Sequence, residues 1–345
     1  MDQPHAFKST RTVTFFLFAI VGALGMMALL VPRAPSLSSH LTQAVLEQEE
    51  FDDFILKFGK VYESDVEYNK RLKIYRDNAA FIRVFNSGSI SFTLGVNKFA
   101  DLTLSEFQEK YLPHRFTRTS PNHEEPAEVE IADKIDWVTK GAVTSVKNQG
   151  DCGSCWSFSA AEGVEGVWFV TGHDLVSLSE QQLIDCSGDF GNMGCLGGYM
   201  DDAFEYVRRY GLTTYTNYPY TASQGTCNNS KVQNIAASIS SYHDVTADSS
   251  NALLTALNLQ PVSVAVDAGN HAWQFYKGGV VDGLCGDKLD HGVLAAGYDT
   301  TASTPYYNIK NSWGSDWGDN GFIKLKVKDG KGTCGVQMNA SYPIV

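Results

Sequence analysis

The first 151 residues contain no cysteine, and all seven cysteines lie between Cys152 and Cys334. That asymmetry points to two parts with different roles. An odd count in a protein that meets an oxidising compartment fits three disulfides with one thiol left over. Basic charge is also scarce: 27 Lys and Arg face 39 Asp and Glu, a net charge of -12. No long basic run offsets it, which argues against nucleic acid or an anionic surface as a partner. No internal repeat is visible. What remains is a globular composition, 43% hydrophobic and 19% charged, over 345 residues, enough for one large domain or two ordinary ones.

The apolar run Val13 to Val31, VTFFLFAIVGALGMMALLV, carries no charge, with Lys8 and Arg11 before it and Pro32 and Arg33 after it. It exceeds the roughly 7–15 residues of a signal-peptide core and approaches the roughly 20 that span a bilayer. Residues 1–33 are therefore expected to be a signal peptide or a signal-anchor segment, the second giving membrane anchoring through residues 13–31. Either puts the remainder outside the cytosol, where disulfides are permitted.

From Ser39 to about Asn86 the apolar periodicity is helical. Phe51, Phe54, Ile55 and Phe58 recur at i, i+3, i+4 and i+7, and Leu72, Tyr75, Ala79, Ile82 and Phe85 form a second stripe. Pro113 to Glu130 lacks periodicity, holds three prolines and an acidic cluster, and reads as an exposed linker open to proteolysis. Beyond it a helix is expected from about Cys155 to Thr171, ended by Gly172. Ser179 with Gln182 at N3 predicts a capping box on a second helix, and GGYMDDAFEYVRRYG reads as a third, ending at Gly211. From about Asn234, short β-rich runs such as PVSVAV, GVLAAGY and GFIKLKV alternate with Gly-rich turns. Helices first and strands later predict an α+β fold in two lobes.

The pair Cys152 and Cys155 in QGDCGSCWSF admits three readings. A zinc site needs a second ligand pair at matching spacing, and Cys186 and Cys195 do not supply it. A thiol–disulfide oxidoreductase needs the pair at a helix start inside a βαβ unit, and none surrounds it. A nucleophile needs a thiol in the first turn of a helix, where the macrodipole favours thiolate, together with an imidazole and a group to orient it. His291, at the start of a probable strand, and Asn311, flanked by Trp313 and Trp317, are the candidates. Singly, each of these residues, like Gln149, is an ordinary turn or core residue; their joint spacing singles them out.

The stretch resembles the signature C-G-[SA]-C-[WY] of papain-type cysteine proteases, in which His and Asn follow roughly 130–150 residues downstream. Here His291 lies 136 residues and Asn311 156 residues beyond Cys155. KNQGDCGSCWSFSA, CLGGYMDDAF, LDHGV, YNIKNSWGSDWGDNGF and CGVQMNASYP keep the family's order, in its cathepsin L-like form. Upstream, Glu67, Arg71, Tyr75, Asn78, Ile82 and Asn86 keep the spacing of its propeptide helix signature, and Gly95, Asn97, Phe99 and Asp101 match its second propeptide motif.

The resemblance implies a papain-like two-lobe fold, a helical lobe plus an antiparallel β-barrel lobe, preceded by a mainly helical propeptide. Residues 39–118 would be that inhibitory propeptide, 119–130 the activation linker and 131–345 the mature peptidase, with about 131–235 helical and about 236–340 β. It implies an endopeptidase with Cys155 as nucleophile, His291 as its base in a thiolate–imidazolium pair, Asn311 as orienter and Gln149 as oxyanion donor. Asn311 would be shielded by Trp313. Gly197 and Gly198 would let substrate backbone approach, with Tyr199, Met200, Ala265, Leu289, Gly292 and Asn339 lining the pocket for the second residue before the cut. Asn339 stands where relatives carry a smaller or apolar residue. It also implies disulfides Cys152–Cys195, Cys186–Cys227 and Cys285–Cys334. No metal or cofactor is required. Partners would be protein or peptide substrates and the chain's own propeptide, with a monomer as the default. The destination would be lysosomal or vacuolar, extracellular, or type II membrane-anchored. Asn228 and Asn339 head formal glycosylation sequons, of which only Asn228 suits a glycan, since one at Asn339 would crowd the cleft. The alternatives are a non-catalytic binding protein on the same scaffold, told by loss of Cys155, His291 or Gln149, and an oxidoreductase, told by a Cys152–Cys155 couple.

Overall fold

The computed structural model describes residues 37–88, 91–117 and 129–345. The apolar run at 13–31 and most of the linker at 119–130 lie outside the described residues. Among the described residues, no helix is long and apolar enough to cross a membrane. The chain divides after Glu47: the first unit contributes the opening turns of the first helix, and the second, Gln48–Val345, holds everything described below.

The two apolar stripes fold as α1 (Leu37–Phe58) and α2 (Asp65–Asn86). Phe51, Phe54, Leu72, Tyr75, Ala79 and Ile82 are buried, with Ile55, Phe58 and Phe85 half-buried against them. Ser64 caps α2 by accepting from the Glu67 backbone N–H. Arg71 reaches both Glu67 at 2.6 Å and Glu106 at 2.8 Å, and Lys60 reaches Asp101 at 2.8 Å. Strand β1 (Phe92–Leu94) and α3 (Leu104–Tyr111) complete the N-terminal region.

Eight further strands follow among the described residues: β2 (Lys134–Asp136), β3 (Ser241–Asp244), β4 (Val262–Val266), β5 (Tyr276–Val281), β6 (His291–Asp299), β7 (Tyr306–Lys310), β8 (Phe322–Lys326) and β9 (Ala340–Ile344). Their order is β1-β5-β8-β7-β6-β4-β9-β3, with β2 also paired to β6. The expected antiparallel barrel is not closed. The edge of β5 is taken by β1 of the N-terminal region rather than by β3, and β5 runs parallel to β8.

Helix α4 (Cys155–Val170) wedges against this sheet. Every residue from Cys155 to Val167 is buried, because the helix packs on β6 and β4 on one side and on α5 (Glu180–Cys186) and α6 (Met200–Tyr210) on the other. Small residues permit the approach: Ser159 donates to Val293 O at 2.7 Å, Ser263 donates to Ser159 O at 2.8 Å, and a Cβ on Gly163 would sit 2.9 Å from Ser263 Oγ. The capping box on α5 is only half made. Ser179 accepts from the Gln182 N–H, but the Gln182 side chain turns inward to Tyr206, Gly211 O and the Thr213 N–H. The N-cap N–H does not need it, because Ser179 N–H donates to Thr213 O at 3.0 Å, so the Gln182 amide is free to satisfy three buried partners. Helices α7 (Ser250–Leu259) and α8 (His271–Gln274) flank the sheet.

A helix buried on all sides that carries Glu162 and Glu165 needs counterions. Lys310, the last residue of β7, meets Glu162 at 2.8 Å, and Lys147 meets Glu165 at 2.9 Å and also Glu180. Three buried carboxylates thus share two ammonium groups, and Glu180 Oε2 has no hydrogen-bond partner. Burial pushes Glu180 up to about 7 and raises Glu162 as well. A carboxyl raised above its unfolded value stabilises the fold fully below that value, and the stabilisation is lost as pH rises through the folded one. The melting temperature should therefore fall between about pH 5 and pH 8, and Glu180→Gln should flatten that slope. Parallel slopes in thermal scans would show that the cluster does not hold a proton.

Candidate active site

Cys155 is the free cysteine of the described chain; Cys152 is bonded to Cys195, Cys186 to Cys227 and Cys285 to Cys334. A Cys152–Cys155 redox couple is therefore not formed. The Cys152–Cys195 bridge, with Gly153 N–H on Cys195 O at 3.0 Å, fixes the turn that delivers Cys155 to the first position of α4. There the backbone N–H of Trp156 and that of Gly292 both favour the thiolate.

His291 opens β6, opposite Val266 at the end of β4. Its Nε2 donates to Asn311 Oδ1 at 2.7 Å, and its ring stacks on Trp313 at 4.6 Å with the edge of Trp273 at 5.9 Å. This leaves Nδ1, which is buried and makes no hydrogen bond, as the nitrogen open to chemistry. Asn311 Oδ1 also accepts from the Ser312 N–H at 2.8 Å, which holds the carboxamide in one orientation.

Gln149 is buried beside them. Its Oε1 accepts from the Ser312 hydroxyl at 2.7 Å and its Nε2 donates to Cys152 O at 3.0 Å, so its amide orientation is set and one Nε2 hydrogen is left over. Ser312 thus joins the imidazole's orienter to Gln149, a role not legible from the sequence, where a serine after Asn311 is unremarkable. Tyr220 was missed as well: its hydroxyl donates to Gln149 O at 2.6 Å.

The proposed pocket residues also converge. Met200, Ala265 and Leu289 lie in one buried cluster, with Tyr199 and Met338 packed against it; Gly292 presses on Trp156 and Met200, and Asn339 O accepts from the Ala265 N–H at 2.8 Å. Its occupant is Phe116. That residue is buried in the same cluster, its N–H donates to Leu289 O at 3.0 Å, and its ring meets Tyr199 at 5.6 Å. His114 lies on Gly197, where a Cβ would come within 2.4 Å of it, and a Cβ on Gly198 would strike Asn192 and Trp156. At the start of the expected exposed linker His114 and Phe116 are thus buried, between the exposed Pro113, Arg115 and Thr117, because Phe116 gains more from an apolar pocket than from water.

The N-terminal region also covers Trp313, with Phe99 and Phe107 edge-on at 5.5 and 5.3 Å. Burial pushes the Cys155 thiol up to about 12, against the pull of the backbone N–H groups, and pushes His291 down to about 4, against the Asn311 hydrogen bond. Among the described residues, no group of His, Cys, Asp and Glu is arranged to hold a metal.

Comparison with known proteins bears on this arrangement. A family model described as papain family cysteine protease matches residues 131–344, and one described as cathepsin propeptide inhibitor domain (I29) matches residues 51–107. Senescence-specific cysteine protease SAG39 of Oryza sativa subsp. indica is 42% identical over 337 residues, covering 95% of this chain and 97% of the relative. Vignain of Ricinus communis is 46% identical over 291 residues, covering 81% of each. Among solved structures, digestive procathepsin L 3 of Tenebrio molitor larval midgut matches with TM-score 0.80 and 37% identity, over 87% of this chain and 99% of that one. Recombinant stem bromelain precursor matches with TM-score 0.79 and 35% identity, over 87% and 99%.

Removing the Ser312 hydroxyl leaves the Gln149 acceptor buried and unpaired, so Ser312→Ala should cost about 1–3 kcal/mol of unfolding free energy in urea. An unchanged midpoint would mean that Cys152 O alone holds the amide.

Proposed function

The chain belongs to the papain family of cysteine proteases and carries a cathepsin-type propeptide inhibitor domain ahead of its peptidase domain, and from that premise we propose how its residues act. It is a cysteine-type peptidase made as a proenzyme. Hydrolysis runs as an endopeptidase reaction through Cys155 and His291. With the cleft open to water, the Cys155 proton passes to His291 Nδ1, helped by the α4 N-terminus. The thiolate attacks the peptide carbonyl carbon, and the resulting oxyanion is held by the remaining Gln149 Nε2 hydrogen and the Cys155 N–H. His291 then protonates the leaving amine, and water, deprotonated by His291, hydrolyses the thioester. Asn311 keeps the ring in register throughout. The observation that carries this reading is a lone thiol at the start of a buried helix, beside an imidazole held at 2.7 Å by a carboxamide with its other nitrogen unpaired.

Residues 39–118 act as the inhibitor by laying Leu112 to Thr117 through the cleft; 119–130 is the activation linker, cut between about Ser120 and Ile131, and 131–345 is the mature enzyme. Phe116 supports an apolar, aromatic-tolerant preference in the pocket of Met200, Ala265 and Leu289, with Asn339 at its base. The burial that raises the Glu180 carboxyl supports an acidic working compartment. Residues 1–33 direct the chain into the secretory pathway, toward a vacuole, a lysosome or the exterior. The exposed Asn228 is its glycan acceptor.

On activated protein, Cys155→Ala should abolish peptide hydrolysis, and Gln149→Ala should lower kcat by about 10²–10³. Hydrolysis that survives Cys155→Ala in a peptide assay would contradict the assignment.

A further inference from the structure

The Tyr220 side chain reaches both sides of the turn that leads into α4. Its hydroxyl donates to Gln149 O at 2.6 Å and lies 2.7 Å from Ser154 Oγ. A phenol has one hydrogen to give, and the Gln149 carbonyl takes it, so at the second contact the Ser154 hydroxyl donates. Ser154 is the N-cap of α4, yet its side chain makes no cap hydrogen bond. It turns to Tyr220 instead, at 2.7 Å against 3.4 Å to Cys152 O. Burial raises the Tyr220 phenol above its ordinary value, so it keeps the proton it donates.

The ends of this bridge are the two places that carry the oxyanion donors. Gln149 bears one on its side chain. The peptide unit joining Ser154 to Cys155 bears the other, the Cys155 N–H. Between them the turn holds two glycines, Gly150 and Gly153, with Gly150 at φ +57°. On the β side, the Gln149 N–H donates to Ser312 O at 2.8 Å; Tyr220 grips the Gln149 carbonyl from the helical side.

Tyr220 is itself fixed. Its ring meets Phe158, in the first turn of α4, edge-on at 4.9 Å. The next residue, Thr221, gives its N–H to Gln181 Oε1 of α5 at 2.8 Å, and Gln181 Nε2 donates to Ser223 O at 2.7 Å. A hydroxyl held this firmly can set the distance between the two groups it joins.

We propose that Tyr220 is a positioning residue for hydrolysis, its hydroxyl fixing the spacing between Gln149 Nε2 and the Cys155 N–H, the two groups that receive the oxyanion. The proposal rests on the peptidase reading above. Both donors count only when each lies roughly 2.7–3.1 Å from the oxyanion, so altered spacing costs rate in the transition state and leaves ground-state binding as it was.

The test uses protein activated from the full-length chain, a peptide amide substrate, and Tyr220→Phe, which keeps the ring and removes the hydroxyl. kcat should fall about tenfold, with KM within about twofold. Alkylation by iodoacetamide forms no oxyanion: the Cys155 thiolate displaces iodide from a saturated carbon, making S–C as C–I breaks. Its rate should stay within about twofold. Spacing has no meaning with one donor gone, so in Gln149→Ala protein the further change Tyr220→Phe should lower kcat by less than about twofold. Ser154→Ala releases the other end of the bridge and removes no helix cap. It should show the same pattern at about threefold, and it carries the test if Tyr220→Phe does not fold.

Unchanged kcat in both variants would overturn the proposal. So would alkylation that slows in step with hydrolysis, because the loss would then lie in the thiol, or an equal loss repeated in the Gln149→Ala background. Activated, unmutated protein that is alkylated at Cys155 but cleaves no peptide would overturn the peptidase reading and the proposal with it. Where the unmutated protein does cleave, the other three results overturn the proposal alone.

Discussion

Burial of one thiol and one imidazole at the seam between a helix and a sheet is the constraint on which the rest of this molecule depends. Helix α4 must arrive there with Cys155 foremost, and β6 must arrive with His291 foremost. Both elements are buried along nearly their whole length, so neither can shift without disturbing its core. The small residues Ser159 and Gly163 set the distance, and Ser312 ties Asn311 to Gln149 so that three side chains share one orientation. The N-terminal region then closes the seam, and with water excluded the neutral forms of both groups are favoured. The cover thus occupies the cleft, with Phe116 in its apolar pocket and Phe99 and Phe107 edge-on to Trp313.

The same low dielectric appears beneath the site. Lys310 and Lys147 stand close in sequence to Asn311 and Gln149, and both end in the carboxylates of a helix that opens on Cys155. Buried ion pairs of this kind add little net stability against apolar substitutes, and their best attested use is to fix register. Here they link the segments that carry Gln149, Cys155 and Asn311. The unequal count of carboxylates and ammonium groups makes the arrangement suited to acid.

Much of this was legible in the sequence, unevenly. Phe51 and Phe54, and Leu72 through Ile82, announced their helices because a 3.6-residue stripe records which face is buried. Gly172 and Gly211 marked helix ends because both adopt positive φ. Cys155, His291, Asn311 and Gln149 could be singled out by joint spacing, and the structure brings them together. Long-range partners left no such trace. Ser312, Met338 and Tyr220 are common residues whose roles exist only once the chain has folded, and Asp290 is paired with Arg115, 175 residues away. Pro113 to Thr117 read as linker because two separated buried side chains make no periodic pattern. The barrel failed to close for a similar reason: that β1 would take the edge of β5 is a pairing no local pattern encodes.

The central claim is that covering the cleft keeps Cys155 and His291 neutral and that uncovering it lets the proton move. The most direct measurement is thiolate ultraviolet absorbance against pH, from about pH 4 to pH 8, on the full-length chain and on the same protein after activation, with Cys155→Ser as the blank. The account predicts no thiolate across that range in the full-length chain and a thiolate throughout most of it after activation. Thiolate at equal level before and after activation would contradict it, and inhibition would then rest on obstruction alone.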